Sequence, residues 1–157
     1  MISPELLRRY PFFGKLDGAQ LKKIAMMAEE VDLDGGEIVF ESGEPAAALY
    51  LLIAGSLELY YEVQDEHDPS LHKEFLVGEI NPGEPFGLSA AIEQQRTLTA
   101  TAKVTKAGKA IKIDAAELCD LCDADPQMAY VLMSQIAKAT MERLGFVRVQ
   151  LAAARNQ

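Results

Sequence analysis

The sequence predicts a mainly β domain, a sandwich or barrel, flanked by short N-terminal helices and one long C-terminal helix. Three observations carry that prediction. Between Val31 and Ile113, apolar or alternating stretches of strand length recur, separated by glycine turns about every eight to twelve residues. Before Val31 and after Asp114 the apolar period becomes three and four, which is helical. From Asp125-Pro126 to the end no proline interrupts the helical pattern.

Ser3-Pro4-Glu5 reads as N-cap, first-turn proline and first-turn acid, opening a short helix through Arg9. Asp17 opens a second, with Leu21, Ile24, Ala25 and Ala28 on one face. Val31–Leu33 and Ile38–Phe40 are short strands joined by the turn Asp34-Gly35-Gly36, and Gly43-Glu44-Pro45 marks another turn. Leu49–Ile53 is a buried strand, which Gly55 separates from the alternating strand Leu57–Tyr61. Gln64 to His72 is polar and is expected to be an exposed hairpin loop, followed by a strand from Glu74 to Ile80. Thr97–Val104 and Lys109–Ile113 close the series, for about seven or eight strands in all.

Asp114 caps a helix through Leu121, and Pro126 starts the last one. Along it Tyr130, Met133, Ala137, Thr140, Leu144, Val147, Leu151 and Ala154 form a seam of three-and-four spacing. Val131, Leu132, Gln135, Ile136 and Ala139 fall beside it. A helix of about 28 residues with a second seam is longer than a small barrel can cover, so its outer part is expected to pair with a second copy. The alternatives are a helix folded back on its own domain and one that frays after Gly145.

The 157 residues suit one domain, with residues 1–125 as the β-rich unit with its N-terminal helices and 126–157 as its C-terminal helix. A net charge of −9 opposes binding to nucleic acid. No apolar run reaches bilayer length and no signal-peptide layout opens the chain, so a cytoplasmic location is expected and no membrane partner. Cys119 and Cys122 provide no disulfide framework.

The stretch Pro82 to Thr97 carries the candidate site. Gly83 and Gly87 can take positive φ, and Ser89 can cap one helical turn to about Glu93. Such a turn presents N–H groups to an anion, and the Arg96 guanidinium follows where it can close on the same anion. The alternative for Arg96 is a structural pair with a nearby acid such as Glu93. Cys119 and Cys122 have redox-motif or half-zinc-site spacing, but lie one turn apart among leucines, where core packing is expected and a redox pair or a metal shared across a dimer is the alternative. Asp65, Glu66, His67, Asp68 and His72 read as a solvated hairpin tip, with a metal site as the alternative. Ser89 has no base beside it in sequence, and neither a nucleophile–base pair nor a metal set is visible, so no enzyme and no catalytic residue is expected.

With these residues in place the chain resembles the cyclic-nucleotide-binding domain, the sensor of catabolite-activator-type regulators, kinases and gated channels. Gly43-Glu44-Pro45-Ala46, Leu49–Leu52 and Gly55 match its first signature; Phe86-Gly87, Arg96-Thr97 and Thr99–Ala102 match its second. The resemblance covers about residues 5–150 and implies a double-stranded β-helix, or jelly roll. It implies that Arg96 binds the cyclic phosphate, helped by Thr97 and by amides of the turn, with Phe86, Gly87, Leu88, Ser89 and Ala90 completing the ligand site. Leu88 departs from the pattern: the family usually has a glutamate there, accepting from the ribose 2′-hydroxyl. Glu84 and Glu93 are the nearby acids that could replace it. On the long helix the resemblance sets Arg143 and Leu144 where activator-type relatives place small hydroxyl residues against the base. A helix-turn-helix domain, present in those relatives, does not follow, so direct DNA binding is not expected.

The expected function is a non-enzymatic sensor that binds a cyclic nucleotide (cyclic AMP or cyclic GMP) or another anionic, phosphorylated small molecule, with no cofactor. It signals through the C-terminal helix to a homodimer mate or a protein partner. The alternative is a degenerate fold that binds no nucleotide and serves as a dimerisation or docking module.

Overall fold

The computed structural model describes residues 1–92 and 96–156. Helix α1 (Pro4–Arg8) begins where the Ser3 hydroxyl accepts from the Glu5 amide. Helix α2 (Gly18–Met27) opens on a capping box. Asp17 accepts from the Gln20 amide at 2.8 Å, and the Gln20 side chain returns to the Asp17 amide at 3.0 Å. Gln20 also donates to Asp125, which caps the last helix, so one buried side chain ties both ends of the helical layer together.

The strands are β1 (Ala28–Leu33), β2 (Ile38–Phe40), β3 (Ala48–Gln64), β4 (His72–Ile80), β5 (Pro85–Phe86) and β6 (Thr101–Asp114). They form one antiparallel sheet in the order β1-β6-β3-β4, with β2 added on β6 and β5 on β3. With its flanking helices this is the jelly-roll architecture. The strands are fewer and longer than the turn spacing predicts. Leu49–Ile53 and Leu57–Tyr61 are two halves of the 17-residue β3, and the segments on either side of Gly108 are halves of the 14-residue β6.

The physical reason is that both glycines serve inside strands. The register of β3 against β6 shifts between Leu52 and Leu57, and Gly55 within that bulge has φ of +92°. Gly108 lies opposite, so close to the Ala54 carbonyl that any Cβ there would collide with it. β1 and β2, on either side of the Asp34-Gly35-Gly36 turn, both pair with β6. One further expectation needs correction. The alternating segment from Thr97 becomes a strand only at Thr101, Thr97 itself making an isolated bridge to Pro45.

Two buried clusters result. One fills the roll around Leu52, Leu57, Ile80, Phe86, Val104 and Ala110. The other lies under the helices, where Leu7, Phe13, Leu21 and Ile24 meet Ile111, Ile113 and the last two helices, α3 (Ala115–Ala124) and α4 (Pro126–Arg155). α4 buries Met128, Leu132, Ile136 and Ala139. Tyr130, Leu144, Val147 and Leu151 of the first seam are exposed, Tyr130 by 75%, while Met133 packs partly on the core. The helix is continuous to Arg155 and packs on its own domain chiefly through the second seam.

Because the bulge brings two backbones into contact at Gly108, Gly108→Ala is expected to destabilise the fold by about 2–4 kcal/mol. Urea denaturation would read this as a lower midpoint. An unchanged midpoint would mean that the bulge relaxes freely.

Candidate functional site

Two sets of main-chain bonds place the candidate site. Leu52 donates to the Glu84 carbonyl at 3.0 Å and accepts from the Gly83 amide at 2.7 Å, so β5 enters in fixed register, Phe86 opposite Tyr50. The turn Gly43–Ala46 holds the other end. Its Ala46 amide donates to the Arg96 carbonyl and its Glu44 carbonyl accepts from the Leu98 amide, both at 2.8 Å. The first signature therefore fixes the backbone that carries Arg96.

Between these anchors Gly87 takes φ of +70° and caps a four-residue 3-10 turn, Leu88–Ala91. A Cβ at Gly87 would sit 3.0 Å from the Ala48 carbonyl and 3.4 Å from the Tyr50 ring. Glycine is required on both counts, conformation and space. The prediction that Ser89 caps this turn is corrected: Gly87 occupies the cap, without a side-chain bond, and Ser89 lies within the turn. The end at Glu93 lies outside the described residues, as does any pairing of that acid with Arg96. Below the turn Phe86 is fully buried and stacks on Tyr50, ring centroids 4.9 Å apart and planes at 12°.

A cavity of about 460 Å³ opens between the roll and α4. Gly87, Leu88, Ser89 and Arg96 line one side, and Thr140, Arg143, Leu144 and Val147 the helix side. Phe40, Leu59, Tyr61, Val77, Leu98 and Ala100 form the apolar floor. Of the predicted site residues, four are thus in the wall. Phe86 and Ala90 support it from the core, Ala90 also accepting from the Cys119 thiol at 3.6 Å. Thr97 is exposed and does not line the cavity. Arg143 and Leu144 both do. Tyr61 and Val147 were not predicted, although Tyr61 alternates with the inward-facing Leu57 and Leu59, which is a legible signal.

The electrostatics are one-sided. Among the described residues, no carboxylate lines this cavity and two guanidiniums do. Arg143 donates to the Pro85 carbonyl and also borders a smaller cavity of about 200 Å³, where Glu79, Glu84 and Glu142 gather. Burial pushes the Arg143 guanidinium down to about 10, with Glu84 and Glu142 opposing the shift, so it stays charged at neutral pH. Glu84 faces that second cavity and accepts from the Asn81 amide at 2.9 Å, which leaves it outside the wall where it would replace the missing glutamate.

The other constellations separate cleanly. Cys119 is buried, and burial pushes Cys122 up to about 11, the reverse of a redox thiol. The loop histidines lie at the far end of the β3–β4 hairpin, and no helix among the described residues is long and apolar enough to cross a membrane.

Residues 30–125 match the model of the cyclic nucleotide-binding domain. A crystal structure of a candidate cyclic nucleotide-binding protein from Geobacter metallireducens is 35% identical, with a TM-score of 0.79 over 92% of this chain and 99% of that one. A candidate potassium channel protein of Rhodopseudomonas palustris is 25% identical over 82% of this chain and 29% of its own length. The regulatory subunit of a cAMP-dependent protein kinase from Dictyostelium discoideum is 25% identical over 79% of this chain and 37% of its own. The chain therefore spans about a third of the curated relatives it matches.

The raised Cys122 pKa has a signed consequence. The thiol binds its proton more tightly folded than unfolded, so its contribution to stability is full below the unfolded value near 9.0 and is lost as pH climbs toward about 11. Native protein at pH 8.5 should react with iodoacetamide far more slowly than the urea-unfolded chain, as read by mass spectrometry. Equal rates would contradict the assignment of Cys122 to the core.

Proposed function

Because the chain belongs to the cyclic nucleotide-binding domain family, we propose that it is a non-enzymatic sensor whose cavity takes a cyclic nucleotide or a related phosphorylated small molecule. The observation that carries this reading is Arg96 in the cavity wall beside the Gly87 turn, with no carboxylate lining the cavity among the described residues. The anionic group sits against Arg96 and the first amides of the turn, Leu88 and Ser89, which precede any carbonyl partner within it. The apolar body fills the space toward Leu59, Val77 and Leu144.

The signal leaves through α4. Its Thr140, Arg143, Leu144 and Val147 share the cavity with the turn, and Arg143 is bonded to Pro85, immediately before Phe86-Gly87. A ligand that contacts both walls favours one setting of the helix over another, by its difference in affinity for the two. The exposed seam Tyr130, Leu144, Val147 and Leu151 suits a second copy of the chain, making a homodimer the receiver of that change. This reading keeps the protein in the cytoplasm, with other proteins as its further partners.

One observation favours a second reading, a lapsed pocket that leaves a dimerisation module. Leu88 lines the cavity where an acceptor is needed for a ribose hydroxyl. Leaving that hydroxyl short of a partner costs about 1–3 kcal/mol, or about ten- to a hundredfold in affinity.

Calorimetric titration with cyclic AMP and cyclic GMP separates the two. The sensor reading expects saturable binding to the wild type, loss of that binding in Arg96→Ala, and tightening by about ten- to a hundredfold in Leu88→Glu. Absence of binding in the wild type, together with a dimer that nucleotide leaves unchanged, would overturn it in favour of the second reading.

A further inference from the structure

The β3–β4 hairpin carries three ligand-type side chains that neither the fold nor the cavity uses. Glu62 and Glu74 stand directly opposite each other in the ladder, and His72, two residues before Glu74, points to the same face. One ligand atom from each of the three lies within 4.8 Å of the other two. His72 Nε2 is 3.5 Å from Glu62 Oε2. Carboxylates paired directly across a ladder repel, so the arrangement is unfavourable until a cation joins them.

The neighbouring strand orients the set. Thr101 on β6, only 4% exposed, donates its hydroxyl to Glu62 Oε1 at 2.9 Å. That bond holds one oxygen of Glu62 and leaves Oε2 turned toward His72. Gln64, opposite His72, is uncharged.

We propose that Glu62, His72 and Glu74 form a surface site for a borderline transition-metal dication of the zinc type, completed by water. Ligand atoms bound to tetrahedral zinc at about 2.0–2.2 Å lie about 3.4 Å apart, which the His72–Glu62 pair already approaches. Glu74 closes the triangle by turning its side chain. One imidazole with two carboxylates favours zinc over magnesium or calcium, which prefer oxygen alone. Thr101 acts behind the ligands, fixing the orientation of one carboxylate. Cys119 and Cys122 offer no competing site, since both thiols are pushed up and neither has an imidazole beside it. The site lies on the face of β3 opposite Tyr61, so an ion there would pin the hairpin that forms one edge of the cavity.

The chain holds two histidines, His67 and His72, and this gives the test an internal control. Zinc chloride would be titrated into the full-length protein while the imidazole resonances of both are followed by NMR. One equivalent is expected to shift His72 and leave His67 in place, with magnesium chloride at the same concentration doing neither. His72→Ala and Glu62→Gln should abolish the saturable binding, and Thr101→Val should weaken it by about ten- to a hundredfold with the far-UV spectrum unchanged. His72 is exposed, so its removal leaves the fold intact. Equal response of both histidines, or binding that survives His72→Ala, would show three solvated side chains without a common occupant and end the proposal.

Discussion

The architecture depends on a single backbone conformation at Gly87. Its positive φ turns the chain from β5 into the 3-10 turn, and its missing side chain lets that turn lie against the Ala48 carbonyl and the Tyr50 ring. Phe86, one residue earlier, forms a triangle of rings with Tyr50 and Phe40, centroids 4.9 and 6.1 Å from its own and 5.9 Å from each other, so the turn starts from a rigid base. Stacked rings in a dry core resist sliding, because any offset opens space that neither water nor side chain can fill. The position of the turn that carries Leu88 and Ser89 into the cavity wall is therefore set by packing several residues away.

A second constraint is the way charge is distributed around α4. Arg143 sits between two cavities of opposite character: one lined by Glu79, Glu84 and Glu142, the other by no described carboxylate. Its bond to the Pro85 carbonyl joins the helix to the strand that feeds Gly87. Under the sensor reading, a ligand that draws on the Arg143 guanidinium would compete with Pro85 for its donors and so favour one setting of the helix over another. Leu88 puts an apolar side chain, which accepts no hydrogen bond, into the wall of the larger cavity.

The sequence disclosed the fold through local chemistry. The caps at Ser3, Asp17, Asp114 and Asp125 and the prolines that follow two of them all act within one turn, and the structure places each at a helix start. Gly55 and Gly108 were legible as breaks and not as bulges, because the difference lies in a partner strand some fifty residues away: Ala54 pairs with Lys109 and Ser56 with Lys106. The same limit applies at the site. The turn and Arg96 are contiguous in sequence and could be read there, with Gly87 and not Ser89 at the cap. On α4 the family resemblance already set Arg143 and Leu144 at the cavity, but helical periodicity alone left open which face meets the roll, and Thr140 and Val147 joined the wall only in three dimensions. The tie from Ala46 to Arg96 is equally nonlocal.

The most direct test of the central claim is hydrogen–deuterium exchange across residues 86–92, with and without saturating cyclic nucleotide. If the turn receives the anionic group, the amides of Leu88 and Ser89 should slow markedly on addition of the ligand, and Arg96→Ala should remove the effect. Exchange in that segment unchanged by a nucleotide that demonstrably binds would contradict the account, because the anion would then be held elsewhere.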